Sequence, residues 1–526
     1  MHLSLQKRYP DTSIRIGAFS TETLPEYTVS GTQEAPDIDP VLSSGALKLN
    51  PRKLEKVPWD HTGEHPGSKL AWSAIKSLAI LSKYYLFRSI EEQAPKESEG
   101  GRIYASIHIN GLVDPLSIIL SQEKRPITMG RHDLATMPFI GWLTRRMGNQ
   151  PVIRRAEQSS GVSGAEFALS INHRTLLTMS HCISGGHGAV VMPEGKSHQD
   201  SRLHKLRTGA MRFAINASTI AHAKDLPKPV IQPVGLHFRC HHWFRTDLFV
   251  EYPEPIQIPI VDNPLHSKSL IEGTWIEPPE DMVIHLRDEL QNRLSEVTPE
   301  APDWETYRAW HLLAQIKAHQ EENPMLHFSD EVIGARHVRE LLKNNKDPEM
   351  IDNAKKASTI LYSRDLDARS ISKDLSLDTR LQVLKGAIGM TLMMLAAPLS
   401  IFSTGLQSIL AWYLGNNTDE GIDARTTHHM FAVFFSPITL WPIFSFALAY
   451  YLLQQLTLEA TPLALSLGAL LMFVAFQISN TAMLLGYDLW SDFTSSRRRR
   501  ILSKTEDGKL LSKLIHLISP KLVALK

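Results

Sequence analysis

Cysteine is scarce in this chain. Two, Cys182 and Cys240, occur in 526 residues. That is too few for a disulfide framework or a zinc site of paired thiolates, and it points to a reducing compartment for the catalytic part. An excess of either charge is also missing. Lysine plus arginine number 56 against 55 aspartate plus glutamate, so no whole-chain field draws nucleic acid or another polyanion, and any anion site has to be local. A metal-ligand signature such as His-Glu-x-x-His is absent from the sequence. This weighs against a phosphoesterase, and neither a metal nor a resident cofactor is expected. Met1 to Pro10 carries Lys7 and Arg8 with no apolar run behind them, so no cleavable secretory signal is read there and the catalytic part is expected not to be exported.

One hydrophobic core rarely grows past roughly 250 to 300 residues, so a chain of this length is expected to have several parts. Residues 1–68 are polar, rich in Pro, Thr, Glu and Gly and without periodicity, which predicts a mobile tail. At Leu70 a broad helical face begins, running through Trp72, Ile75, Leu78, Leu81 and Tyr84. It suits either a helix packed on the domain or one lying at a membrane interface. Residues 69–275 alternate strand-length apolar runs with helical ones. Strands are predicted at Ile103–Ile107, Ala189–Met192, Val230–Val234 and Asp247–Val250, and helices at Leu116–Ser121, Pro138–Met147, Gly164–Ser184 and Leu206–His222. This is the signature of an α/β layered domain with a mostly parallel or mixed central sheet, whose active groups lie on loops at strand ends. Residues 276–382 read as a helical accessory segment, with Trp304, Tyr307, Trp310, Leu313 and Ile316 on one face.

In residues 383–490 charge nearly vanishes. Leu384–Leu414, Met430–Leu453 and Pro462–Leu485 are long apolar stretches, and a span needs only about 20 residues. The first, broken by Pro398 and Gly405, is expected to be one tilted span or, preferably, a hairpin that enters and leaves on one side. Arg497 to Arg500 follow the last stretch, and the positive-inside rule puts them in the cytoplasm. Residues 491–526 read as a basic tail. The expectation is a multi-pass membrane protein with its α/β domain on the cytoplasmic face.

The residues that carry chemistry lie near strand ends. His108 and Asp114 follow the Ile103–Ile107 strand. On a helix their spacing would set them about 240° apart, so they meet only across a turn, which Asn110-Gly111 supplies. An imidazole titrates at about 6.5 in water and accepts a proton at neutral pH, while a neighbouring carboxylate fixes its tautomer. After the next strand comes Pro193-Glu194-Gly195-Lys196-Ser197. Gly195 lets the backbone approach a ligand, Ser197 and exposed amides can hydrogen-bond phosphate or hydroxyls, and Glu194 is expected to hold a hydroxyl of the acceptor. Arg145, Arg146, Arg154 and Arg155 supply guanidinium forks for a local phosphate site.

The set resembles the glycerolipid acyltransferase superfamily. His108 with Asp114 matches its first block, Gly148 and Arg154 the second, Glu194, Gly195 and Ser197 the third, and Val230-Ile231-Gln232-Pro233-Val234-Gly235-Leu236 the fourth. Five residues separate His108 from Asp114 where four are usual, and Ile107 stands where Asn or Pro is common. Leu206-Arg207-Thr208-Gly209, His242 to Arg245, Val250 to Ile256 and Val297 to Thr306 further resemble the membrane-bound glycerol-3-phosphate and dihydroxyacetone-phosphate acyltransferases of the fungal type. The resemblance implies His108 as base and Asp114 as its orienter. It implies Arg154, Arg155, Glu194, Gly195, Ser197 and Arg207 as substrate-binding residues. Acyl-CoA would be the donor substrate, glycerol 3-phosphate or a related phosphorylated acceptor its partner, and the reaction would take place at a lipid membrane. Lysophosphatidate is the rival acceptor, and a non-catalytic scaffold with this fold the rival from another class.

Overall fold

The computed structural model describes residues 47–119, 125–138, 140–344, 347–417 and 425–524. The predicted tail therefore lies outside the described residues as far as residue 46. From there on it is docked: Leu54 and Val57 are buried against Ala135, Ile153, Ala168 and Ile171. Four apolar residues, Leu49, Leu54, Val57 and Trp59, anchor a stretch whose composition reads as polar.

The Lys69–Leu86 helix, capped by the Ser68 hydroxyl, runs without a turn into the first strand. The strands are β1 (Phe87–Glu92), β2 (Arg102–Ser106), β3 (Ile127–Arg131), β4 (Gln150–Val152), β5 (Ala189–Val191), β6 (Val230–Phe238), β7 (Thr246–Glu251) and β8 (Ile256–Gln257). They form one mixed sheet in the order β1-β7-β6-β2-β5-β3-β4, with β8 on β6. From β6 to β4 all neighbours are parallel, whereas β7 and β8 run antiparallel to β6. The α/β class and mixed sheet are as predicted, and β2 and β5 are buried along their whole length, as strands covered on both faces must be. The Ala165–Ser184 and Gly209–Ala223 helices pack together, and Val283, Leu286, Leu290 and Leu294 of the Glu280–Val297 helix join the same core. The α/β domain thus extends past residue 275.

A second core lies among the Trp304–Gln320, Phe328–Asn344 and Pro348–Tyr362 helices. It also takes Leu511, Leu514, Ile515, Ile518 and Leu522 from the Glu506–Val523 helix. The predicted basic tail is therefore a packed amphipathic helix, whose apolar stripe the count of basic residues had obscured.

Where β6 and β7 meet this helical part, Glu251 accepts from His237 Nε2 at 2.6 Å and pairs with Arg336. Gly235 makes room for it, since a Cβ there would lie 2.6 Å from Glu251 Cγ. Burial pushes the Glu251 carboxyl up, but His237 and Arg336 outweigh it and hold the group down at about 2, from an ordinary 4.5. A depressed carboxylate stabilises the fold fully above its unfolded pKa and loses that contribution as pH falls towards its folded one. The shift corresponds to about 3 kcal/mol. Glu251→Gln is accordingly expected to lower the unfolding temperature at pH 7, with the gap to the parent protein closing between pH 4.5 and 2. A gap independent of pH would disprove this linkage.

Two helices are long and apolar enough to cross a membrane, Val383–Asn416 and Pro462–Leu502. A third candidate is the Arg425–Ile438 and Leu440–Gln455 pair, bent by 43°. The preferred hairpin reading of the first stretch does not hold, because the backbone stays helical throughout. Pro398 and the π-helical turn at Ile401–Gly405 that follows it lie inside a helix that continues on either side of them. The α/β domain is bolted to the long Pro462–Leu502 helix by Arg245 on Asp488 and Arg88 on Asp492, at 2.5 and 2.7 Å. Leu81 and Tyr85 of the Lys69–Leu86 helix pack on Val433 and Leu484, so that helix faces both the domain core and the apolar helices.

Candidate active site

In an open sheet with parallel strands, ligands meet the chain beyond the carboxyl ends of those strands. β2, β5, β3 and β4 all end on one side, and their continuations carry most of the candidate residues. After β2, Ile107 and Ile109 are buried in the core, which turns His108 between them outward. Its side chain is 19% exposed, while that of Asp114 is fully buried. Gly111, at φ +51, reverses the chain so that Asp114, in the first turn of the Val113–Ile119 helix, comes back beneath His108.

Asp114 Oδ2 accepts from His108 Nδ1 at 2.9 Å and from the amides of Ile109 and Asn110 at 2.8 and 2.7 Å. The five-residue spacing therefore still yields the pair, because the additional residue is taken up in the turn. The carboxylate places the ring proton on Nδ1 and leaves Nε2 as the acceptor atom. Burial pushes the Asp114 carboxyl above its ordinary range, against the opposing pull of His108 and the two amides.

After β5 the chain turns at Gly195, φ +77, whose amide donates to Met192 O. Glu194 is 2% exposed. Its Oε2 accepts from the His108 amide at 2.7 Å, and its Oε1 from His198 Nε2 and the His204 amide, both at 2.7 Å. The His198 amide donates back to His108 O at 3.0 Å. Glu194 is thus a buried clamp between the two loops. Where the sequence suggested a group that holds an acceptor hydroxyl, the structure shows a carboxylate closed to solvent and already bonded by three donors.

Ser197 is half-buried beside this clamp, and exposed Arg207 lies across the turn, where a Cβ on Gly195 would sit 3.4 Å from Arg207 Cγ. The Arg207 amide donates to Pro193 O at 2.7 Å. The structure therefore gathers His108, Asp114, Glu194, Gly195, Ser197 and Arg207 at the ends of β2 and β5. Arg154 and Arg155 follow β4, three strand spacings from β2, roughly 14 Å. Arg154 turns to buried Glu157, with Nε 2.8 Å from Oε1, while Arg155 is exposed at the start of a short helix.

Sequence reasoning missed His198 and His204, although the i,i+4 spacings of Glu194 to His198 and Asp200 to His204 are visible in it. The two rings stack with centroids 3.8 Å apart. With Asp200 they offer ligand atoms within 4.8 Å of one another. His198 Nδ1 accepts from the Asp200 amide at 3.2 Å, so its proton sits on the Nε2 that donates to Glu194, and both ring nitrogens are engaged. His204 Nε2 donates to Asp200 at 2.6 Å, and this bond, ahead of the opposing effect of burial, holds the Asp200 carboxyl low. As arranged, the trio is a hydrogen-bonded support under the Glu194 clamp.

Residues 88–237 match the family model described as Acyltransferase. Over 116 residues the chain is 30% identical to glycerol-3-phosphate O-acyltransferase 2 of Saccharomyces cerevisiae, a stretch that makes up 22% of this chain and 14% of that protein.

Proposed function

Because the chain belongs, through residues 88–237, to the glycerolipid acyltransferase superfamily, we propose that it is a membrane-bound O-acyltransferase acting in phospholipid biosynthesis. It moves a fatty acyl group from acyl-CoA to glycerol 3-phosphate or dihydroxyacetone phosphate. The observation that carries this reading is the His108 ring, bonded at Nδ1 to buried Asp114 and partly exposed, on a loop tied to the Gly195 turn through Glu194. Nε2 takes the proton of the acceptor hydroxyl as that oxygen attacks the thioester carbonyl. The tetrahedral intermediate then collapses, the C–S bond breaks, and the departing thiolate receives the proton from the imidazolium. No enzyme nucleophile and no cofactor enter this scheme.

Two features support a site at a lipid surface. The apolar helices abut the domain at Asp488 and Asp492, at the same end of the long helix as Arg497 to Arg500. The positive-inside rule then assigns that end, and the domain with it, to the cytoplasm. The two long helices also leave large apolar side chains exposed, among them Leu384, Leu395, Ile401, Leu463, Leu470 and Leu471, as side chains that face lipid would be.

The test is an acceptor screen on membranes containing the full chain, with labelled acyl-CoA. Glycerol 3-phosphate or dihydroxyacetone phosphate is expected to be acylated in preference to lysophosphatidate. The reverse preference would overturn the acceptor assignment. In the same assay Arg207→Ala is expected to raise the acceptor KM about tenfold with kcat little changed, the equivalent of about 1.4 kcal/mol and the lower end for a charge-assisted hydrogen bond to phosphate. Arg154→Ala is expected to move KM less, since its guanidinium is turned to Glu157.

A further inference from the structure

The turn that brings Asp114 back to His108 is held from outside the α/β domain. The Arg425–Phe435 helix, which opens the bent apolar pair, reaches it with two adjacent hydroxyls. Thr426 Oγ1 donates to Asn110 Oδ1, and Thr427 Oγ1 accepts from the Leu112 amide at 3.1 Å. Asn110 and Thr426 are both buried, at 1% and 5% exposure. Asn110 also donates its own amide to Asp114 Oδ2 at 2.7 Å. A continuous run of hydrogen bonds therefore leads from Thr426 through Asn110 and Asp114 to His108 Nδ1. The two threonines bond the residues on either side of Gly111, whose positive φ is one that glycine adopts readily.

We propose that Thr426 and Thr427 are positioning residues for the reaction, so that the seat of an apolar helix against the domain sets the geometry of the catalytic pair. The proposal rests on the reading of His108 as base. Its physical content is that the pair must be held to well under an ångström. The α/β domain alone holds the loop through the Glu194 clamp and the Asp114 carboxylate, leaving the Asn110 side chain and the Leu112 amide to be fixed by the apolar region. A misplacement of about 1 Å in a catalytic group costs on the order of 10²-fold in rate. The acyltransferase site is then complete only when the apolar helices are assembled on it, which ties turnover to correct seating in the bilayer.

The test uses the full chain in phosphatidylcholine nanodiscs, with kcat, both KM values and thermal unfolding measured for Thr426→Val, Thr427→Val, Thr426→Ser and Thr404→Val. Thr404 makes an equivalent bond inside the apolar region, to Asn480 Oδ1 of the Pro462–Leu502 helix at 2.8 Å, and serves as the control. Thr426→Val is expected to lower kcat roughly 10- to 100-fold, with both KM values within about twofold, and Thr427→Val to do so more weakly. Thr426→Ser restores most of the rate, and Thr404→Val leaves kcat unchanged. An unaltered kcat in Thr426→Val, or a loss matched by Thr404→Val and accompanied by equal destabilisation, would overturn the proposal. His108→Ala, run alongside, separates the two failures. If it is inactive while Thr426→Val is unaffected, the coupling fails and the catalytic reading stands. If it is fully active, the catalytic reading itself fails.

Discussion

His108→Ala is expected to lower kcat by about 10³-fold or more with the chain still folded. A positioned general base contributes roughly 10² to 10⁴ to the rate, and among the described residues the side chains bonded to this loop are already engaged. Among the groups around the loop, Asp114 and Glu194 are fully buried and already accept hydrogen bonds, and His198 has both ring nitrogens engaged. Asp114→Asn is expected to lose about as much while preserving shape, because an amide oxygen in the place of Oδ2 can keep the three hydrogen bonds but carries no charge to stabilise the imidazolium that forms. Since burial raises the Asp114 carboxyl, acidification protonates it earlier than an ordinary carboxylate. The acid limb of kcat/KM in the parent protein is therefore expected to include this group and to change in Asp114→Asn. Single-turnover rates across pH 4 to 8 check both statements. Unchanged transfer by His108→Ala would make the chain a scaffold that kept the fold and lost the chemistry.

What could be read from the sequence follows from how local each signal is. β2 and β5 were legible as short apolar runs bounded by turns, and the His108–Asp114 pair as a base and a carboxylate on either side of Asn-Gly. β1 was not, because it continues the Lys69–Leu86 helix without a breaker and alternates exposed, partly charged residues with half-buried ones. The bonds that Glu194 makes were not legible, because the groups that bond it, the His108 and His204 amides and the His198 ring, include a backbone group from a loop 86 positions away. Thr426 and Thr427 carried no signal at all. Their partners lie 316 and 315 residues upstream, and a threonine at the start of an apolar run reads as a helix terminus. Periodicity finds elements and short motifs find chemistry, but neither reports which distant element steadies a loop.

The second large effect is expected at Glu194, and it separates a clamp from a substrate ligand. In Glu194→Gln one of the two carboxylate oxygens becomes an amide NH2 group, which donates and cannot accept. If it takes the place of Oε2, it faces the His108 amide. If it takes the place of Oε1, it faces His198 and the His204 amide. Either way at least one buried donor loses its acceptor and meets another donor, at a cost of about 1 to 3 kcal/mol. The first arrangement leaves fewer donors unpaired and so prevails, which puts the defect directly on the backbone of the catalytic histidine. The expected result is a fall in kcat of about 10²-fold, as for a small misplacement of the reacting group, together with a lower unfolding temperature and acceptor KM within about twofold of the parent. A residue that instead gripped an acceptor hydroxyl would raise KM and leave the unfolding temperature unchanged. Measured side by side, the two parameters decide between these roles, and with Glu194 only 2% exposed the clamp is the expected outcome.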